Sequence, residues 1–126
     1  MNWLIFISGL FALATVIGHF TMGIKSFLRP MMEASFDEVP KKIMQSVFHY
    51  VSTFLVLSAI ALLLHGSGVT FGLDTTHVAR FIALNYSIFA VVQITIALTS
   101  NIPNPLTKLF QWGFFVAIAV FAWIGA

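Results

Sequence analysis

Four long apolar segments, separated by short polar ones, make up most of this chain. They run from Trp3 to Ile24, Ile43 to His65, Phe81 to Leu98 and Leu109 to Gly125, and none contains Asp, Glu, Lys or Arg. A helix needs roughly 20 apolar residues to cross the hydrocarbon core of a bilayer. The runs are continuous rather than alternating, which favours helices over the strands of a membrane barrel. The pattern predicts an all-α fold with one domain, a four-helix transmembrane bundle over residues 1–126.

Composition supports a membrane protein. Hydrophobic residues make up 60% of the 126 residues and charged residues only 8%, whereas a soluble domain needs far more polar surface. The first segment has no basic residue ahead of it and stays apolar beyond Ala14. We therefore expect it to be kept as a span rather than removed as a signal peptide.

The basic residues predict the orientation of the bundle. Five of the six lie at one side of the predicted spans, in the first connection or at the end of the third connection. One lies at the opposite side, at the start of the third span. The five are Lys25, Arg29, Lys41, Lys42 and Lys108, and the sixth is Arg80. Because positive charge stays on the cytoplasmic side, both termini are expected on the outer side of the cell inner membrane.

The polar connections predict an interfacial segment and the starts of two helices. The first, Lys25–Lys42, alternates apolar and charged residues and is expected to lie in the headgroup region. Asp74 is expected to cap the third span, and Asn104 with Pro105 to begin the last helical segment.

Two histidines define a predicted polar layer inside the bundle. His19 and His49 each lie six residues from the inner end of their span, so both rings are expected about 9 Å inside the inner boundary. Other polar residues of the spans share the same helix faces or reach a similar level. They are Thr15, Ser52, Thr53, Gln93 and Gln111.

Three interpretations of this layer remain open from the sequence. Polar side chains commonly form hydrogen bonds between membrane helices, which would make the layer structural. Histidine titrates near neutral pH, so the layer could instead serve a proton or a small solute. The third interpretation is a transition-metal site on His19 and His49, with Met22 one turn away as a thioether ligand.

The sequence also limits the function classes. It has no cysteine and none of the common hydrolase, phosphate-binding or zinc-protease motifs, so no enzyme activity is predicted. No basic-aromatic pattern indicates nucleic acid. The expected partners are the lipid bilayer and either further copies of the chain or a larger membrane complex. Solute or proton handling, an accessory subunit, and a metal-binding or redox protein remain the alternatives.

One string of residues resembles a known pattern. The string is Gly18-His19, Gly23, Leu28-Arg29-Pro30, Pro40 and His49-Tyr50-Val51-Ser52. It resembles small uncharacterised bacterial four-span membrane proteins, which share a Gly-His near the end of span one and a His-x-x-Ser/Thr in span two. The resemblance covers about the first half of the chain. It implies four spans and carries no activity with it.

Overall fold

The computed structural model describes residues 1–70, 72 and 74–126, and within this part of the chain its elements are helices without strands. The predicted all-α class is therefore confirmed. The five helices are α1 (Trp3–Glu33), α2 (Glu38–Ser67), α3 (Thr75–Thr99), α4 (Pro105–Lys108) and α5 (Gln111–Gly125). The helices α1, α2 and α3 are long and apolar enough to cross a membrane, and α5 is a shorter apolar helix.

The long helices pack antiparallel, and both chain termini lie at one end of the bundle. α1 lies against α2 and α5, and α3 lies against α5. The Asn2 side chain donates through Nδ2 to the carbonyl of Gly125 (2.7 Å), and its backbone N–H donates to the carbonyl of Gly66 (2.7 Å). The start of α1 is thereby bonded to the last turns of α2 and α5.

Glycines bring α1 and α2 into close contact. A Cβ atom on Gly9 would lie 2.8 Å from the backbone nitrogen of Leu63, and one on Gly66 would lie 2.5 Å from that of Phe6. Small residues allow such backbone approach between membrane helices. Gly18, further along α1, differs: a Cβ there would meet nothing within 4 Å.

The core lies between the helices, and apolar side chains also cover the outside. Ile5, Leu62, Tyr86 and Ile118 are among the largest fully buried side chains. Large apolar residues of α1, α2, α3 and α5 are also exposed on the outer faces of the bundle. An apolar exterior suits lipid rather than water.

The first connection is much shorter than the sequence predicted. We expected Lys25–Lys42 to connect the first two spans in the headgroup region, whereas in the structure α1 continues to Glu33 and α2 begins at Glu38. Proline in an α-helix clashes with the carbonyl four residues earlier. Here Pro30 follows a π-helical segment, His19–Leu28, whose pairing is shifted to the fifth residue, and this wider turn accommodates the ring.

The predicted helix starts are confirmed. Asp74 is the N-cap of α3, and its carboxylate accepts from the backbone N–H groups of Thr76 and His77. The His77 ring, 2.7 Å away, holds the pKa of the Asp74 carboxyl below its usual range. Asn104 and Pro105 occupy the N-cap and first position of α4, although the Asn104 side chain makes no capping bond.

Candidate functional site

His19 is the first residue of the π-helical segment of α1, and two residues of α2 hold its ring. Its Nε2 lies 2.7 Å from Ser52 Oγ, and the ring stacks on Phe48 with centroids 4.1 Å apart. Ser52 Oγ also donates to the carbonyl of Phe48 (3.0 Å), and a hydroxyl has only one hydrogen to donate. With the Ser52 hydroxyl donating to Phe48, the His19 tautomer that fits carries its hydrogen on Nε2, and Nδ1 of the neutral ring is then a hydrogen-bond acceptor.

The His19 cavity, as we call it, lies between α1, α2 and α5. Its volume is about 230 Å³. It is lined by Ala14, Thr15, Gly18, His19, Met22, Gly23, Phe27, Phe48, Val51, Leu55, Phe110, Gln111, Phe114 and Phe115. Polar groups enter it from Thr15, His19 and Gln111, and no lining residue carries a formal charge at neutral pH. The cavity is thus an apolar, aromatic-walled space with a few polar groups.

The two glutamines of the predicted layer are also brought together. Gln93 Nε2 on α3 donates to Gln111 Oε1 on α5 (3.4 Å). This bond occupies the carbonyl of Gln111 and leaves its amide N–H groups as donors. Thr15 Oγ1 donates to the carbonyl of Phe11 (2.9 Å), so its lone pairs remain as acceptors.

His49 lies on a different surface. Its side chain is exposed, and it lines an open groove together with Phe20, Ser52, Thr53, Val56 and Leu57. Thr53 Oγ1 donates to the carbonyl of His49 (3.1 Å). The predicted layer is therefore divided: Thr15, His19 and Gln111 share the cavity, while His49 and Thr53 face the groove. Ser52 lines the groove and bonds to His19.

The residues considered as metal ligands are divided in the same way. Met22 lines the His19 cavity, whereas His49 does not. Within the described residues there is no group of three or more His, Cys, Asp or Glu side chains that could hold a metal ion. The arrangement offers hydrogen bonds to a ligand more readily than a coordination shell, since zinc sites take three or four ligands.

Sequence reasoning did not single out a buried polar pair at the centre of the bundle. Tyr86 on α3 is fully buried, and its hydroxyl lies 2.7 Å from Ser58 Oγ on α2. Phe54, Phe89 and Phe115 surround the tyrosine ring. The signal was present in the sequence, because a tyrosine in the middle of an apolar span needs a partner for its hydroxyl. The pair is buried in the packed core and does not line the cavity.

The cavity follows the unusual part of α1. The π-helical segment is 10 residues long, and its residues His19, Met22, Gly23 and Phe27 line the cavity. π-helical turns are rare and occur frequently at functional sites. The presence of this segment in the wall therefore supports the cavity as the candidate functional site.

Comparison with protein-family models, with curated proteins and with solved structures gave no match. The assignment of function therefore rests on the residues of the site.

Proposed function

We propose that this protein spans the cell inner membrane four times and binds a small uncharged solute in the His19 cavity. The observation that carries the proposal is one cavity, within an apolar bundle, that joins Thr15, His19 and Gln111 without any charged residue. Binding sites for small molecules are typically concave and mostly apolar, with a few placed polar groups.

Helix lengths support four spans. The 31, 30 and 25 residues of α1, α2 and α3 correspond to about 46, 45 and 37 Å, and the hydrocarbon core is about 30 Å thick. α5 has 15 residues, about 22 Å, and is extended at its start by the turn of α4. It runs antiparallel to α3, because Gln111 bonds to Gln93 and Trp123 to Ser87.

Charge supports the orientation. The ends of α1 and α2 that meet at residues 34–37 carry Lys25, Arg29 and Lys42, and α4 carries Lys108. Among the Lys and Arg residues of the described part of the chain, Arg80 alone lies near the chain termini, where it donates to the carbonyl of Ala126 (3.3 Å). By the positive-inside rule the termini then face outward.

The division of the two histidines favours a solute over a proton relay. A relay through both rings needs contact or a bridging group, and His49 faces the groove rather than the cavity.

Because the chain contains no cysteine, single-cysteine variants can test the proposal directly. Thr15→Cys places a thiol in the cavity, and Leu13→Cys places a matched thiol on the exposed, lipid-facing side of the same helix. Both are exposed to methyl methanethiosulfonate, a small membrane-permeant reagent, in intact membranes. Thiols react as thiolates, which require a polar or hydrated environment.

We expect Thr15→Cys to be modified and Leu13→Cys to stay unmodified, as judged by the intact mass of the protein. Lack of reaction at both positions would contradict a solute-accessible cavity. Equal reaction at both would show that the reagent does not distinguish the cavity from the lipid face, which also contradicts the proposal.

A further inference from the structure

We propose that the solute is a small phenol, an aromatic alcohol whose ring fills the cavity and whose hydroxyl bonds to His19 and Gln111. This inference rests on the proposed function and goes further by assigning a ligand class. It follows from which hydrogen-bonding atoms of the cavity are already occupied by the protein.

The protein's own bonds leave a specific set of free groups. In the tautomer that fits a Ser52 hydroxyl donating to Phe48, His19 Nε2 donates to Ser52 and Nδ1 is an acceptor. Gln111 Oε1 accepts from Gln93, so the Gln111 amide nitrogen remains as a donor. A ligand that complements both atoms must donate one hydrogen bond and accept another. A hydroxyl group does this with a single oxygen.

The walls of the cavity favour an aromatic body. Five phenylalanines line it, at positions 27, 48, 110, 114 and 115. Aromatic rings prefer stacked or edge-to-face neighbours, and the His19 ring already stacks on Phe48. Size is consistent with one ring: a cavity of about 150 Å³ lined by apolar side chains binds benzene. The His19 cavity, at about 230 Å³, leaves room for a ring with substituents.

The lining of the cavity argues against charged ligands of this size. The cavity has no Asp or Glu to pair with a cation and no Lys or Arg to pair with an anion. Burying an unpaired charge is strongly unfavourable. An uncharged alcohol satisfies the polar atoms without that penalty.

Three ligands that share one ring test the inference. Phenol donates and accepts, anisole accepts only, and toluene does neither. The purified protein in detergent is titrated with each ligand, and its thermal unfolding midpoint is measured against the free ligand concentration. A ligand that binds the folded state raises this midpoint as its concentration rises.

We expect apparent affinity to fall from phenol to anisole to toluene, by about fivefold for each hydrogen bond lost. Gln111→Leu removes the donor and should bring anisole to the level of toluene while phenol keeps its bond to His19. Gly18→Leu fills the cavity from a position with open space around it, and should abolish the effect of all three ligands.

The outcomes separate the ligand class from the proposed function. Equal affinities for the three ligands would overturn the phenol assignment, as would an order that does not change in Gln111→Leu. Midpoint shifts that persist in Gly18→Leu would place binding elsewhere and overturn it too. If none of the three binds while Thr15→Cys is still modified, the solute cavity stands and the phenol class fails.

Discussion

At the residue scale, the hydroxyls of Ser58 and Tyr86 differ in what their removal leaves unpaired. With Ser58 Oγ donating to the carbonyl of Leu55 (3.0 Å), Tyr86 donates to Ser58. Loss of the tyrosine hydroxyl leaves Ser58 still bonded. Loss of the serine leaves a fully buried phenol group with no acceptor.

We therefore expect Tyr86→Phe to lower the free energy of unfolding by only about 0.6 kcal/mol, the average for polar contacts between membrane helices. Ser58→Ala should cost more, about 1–3 kcal/mol, because it strands the Tyr86 hydroxyl. The double variant should be close to Tyr86→Phe alone. Unfolding in detergent measures all three, and a double variant worse than Ser58→Ala would contradict this account.

The two histidines should also differ in their contribution to stability. His19→Asn loses the stacking on Phe48 and should lower the free energy of unfolding by roughly 0.6 kcal/mol and at most about 1.7 kcal/mol. His49→Asn should change it little, because the side chain is exposed and makes no side-chain bond within the described residues. A larger loss for His49→Asn in the same unfolding assay would contradict the division of the predicted layer.

At the scale of the elements, the fit between α1 and α2 depends on glycines whose surroundings differ. Gly9→Ala places a methyl group against the backbone of α2, and overpacking of this kind costs about 1–3 kcal/mol. Gly18→Ala, in the same helix, adds a methyl group in open space and should stabilise it by up to about 1 kcal/mol, the helix preference for alanine.

The same detergent unfolding assay compares these two variants under matched conditions. A loss of stability in Gly18→Ala equal to that in Gly9→Ala would show that α1 packs tightly at both positions. Such a result would contradict the open space beside Gly18.

The sequence predicted which segments are helical but not how α1 ends. Hydropathy and the capping residues suffice for the helices, and Asp74 and Pro105 lie where their types predict. Proline is poorly tolerated in a regular α-helix, yet α1 continues past Pro30 to Glu33 after the π-helical segment His19–Leu28. The sequence analysis did not predict that segment.

The sequence predicted the depth of the two histidines in the bundle but not the side of α2 that His49 faces. Spacing placed His19 and His49 at one level, but successive helical residues turn by about 100°, so His49 and Ser52 lie only about 60° apart around α2. Sequence spacing cannot resolve which of the two meets His19. In the structure Ser52 does, and His49 turns to the neighbouring groove.

At the scale of the whole molecule, the proposed orientation makes a simple prediction. Ser35 lies between α1 and α2, and Ser67 ends α2 near the chain termini. Because the basic residues gather at the Ser35 end, a membrane-impermeant thiol reagent added to intact cells with a permeable outer membrane should label Ser67→Cys and not Ser35→Cys.

A reporter fused after Ala126 should lie on the same side as Ser67, because both belong to one end of the bundle. Labelling of Ser35→Cys alone would mean that the orientation is reversed. A reporter on the opposite side from Ser67 would mean that the number of spans is not four.

The most direct test of the central claim, a solute site at His19, measures how fast Thr15→Cys reacts when the cavity is open and when it is filled. The rate of modification by methyl methanethiosulfonate is compared in Thr15→Cys and in the same variant carrying Gly18→Leu, both in intact membranes. Both residues line the cavity, and the space beside Gly18 accepts a larger side chain. The account predicts rapid modification of the first protein and strongly slowed modification of the second. Equal rates would show that residue 15 is reached without the cavity and would contradict a solute site at His19.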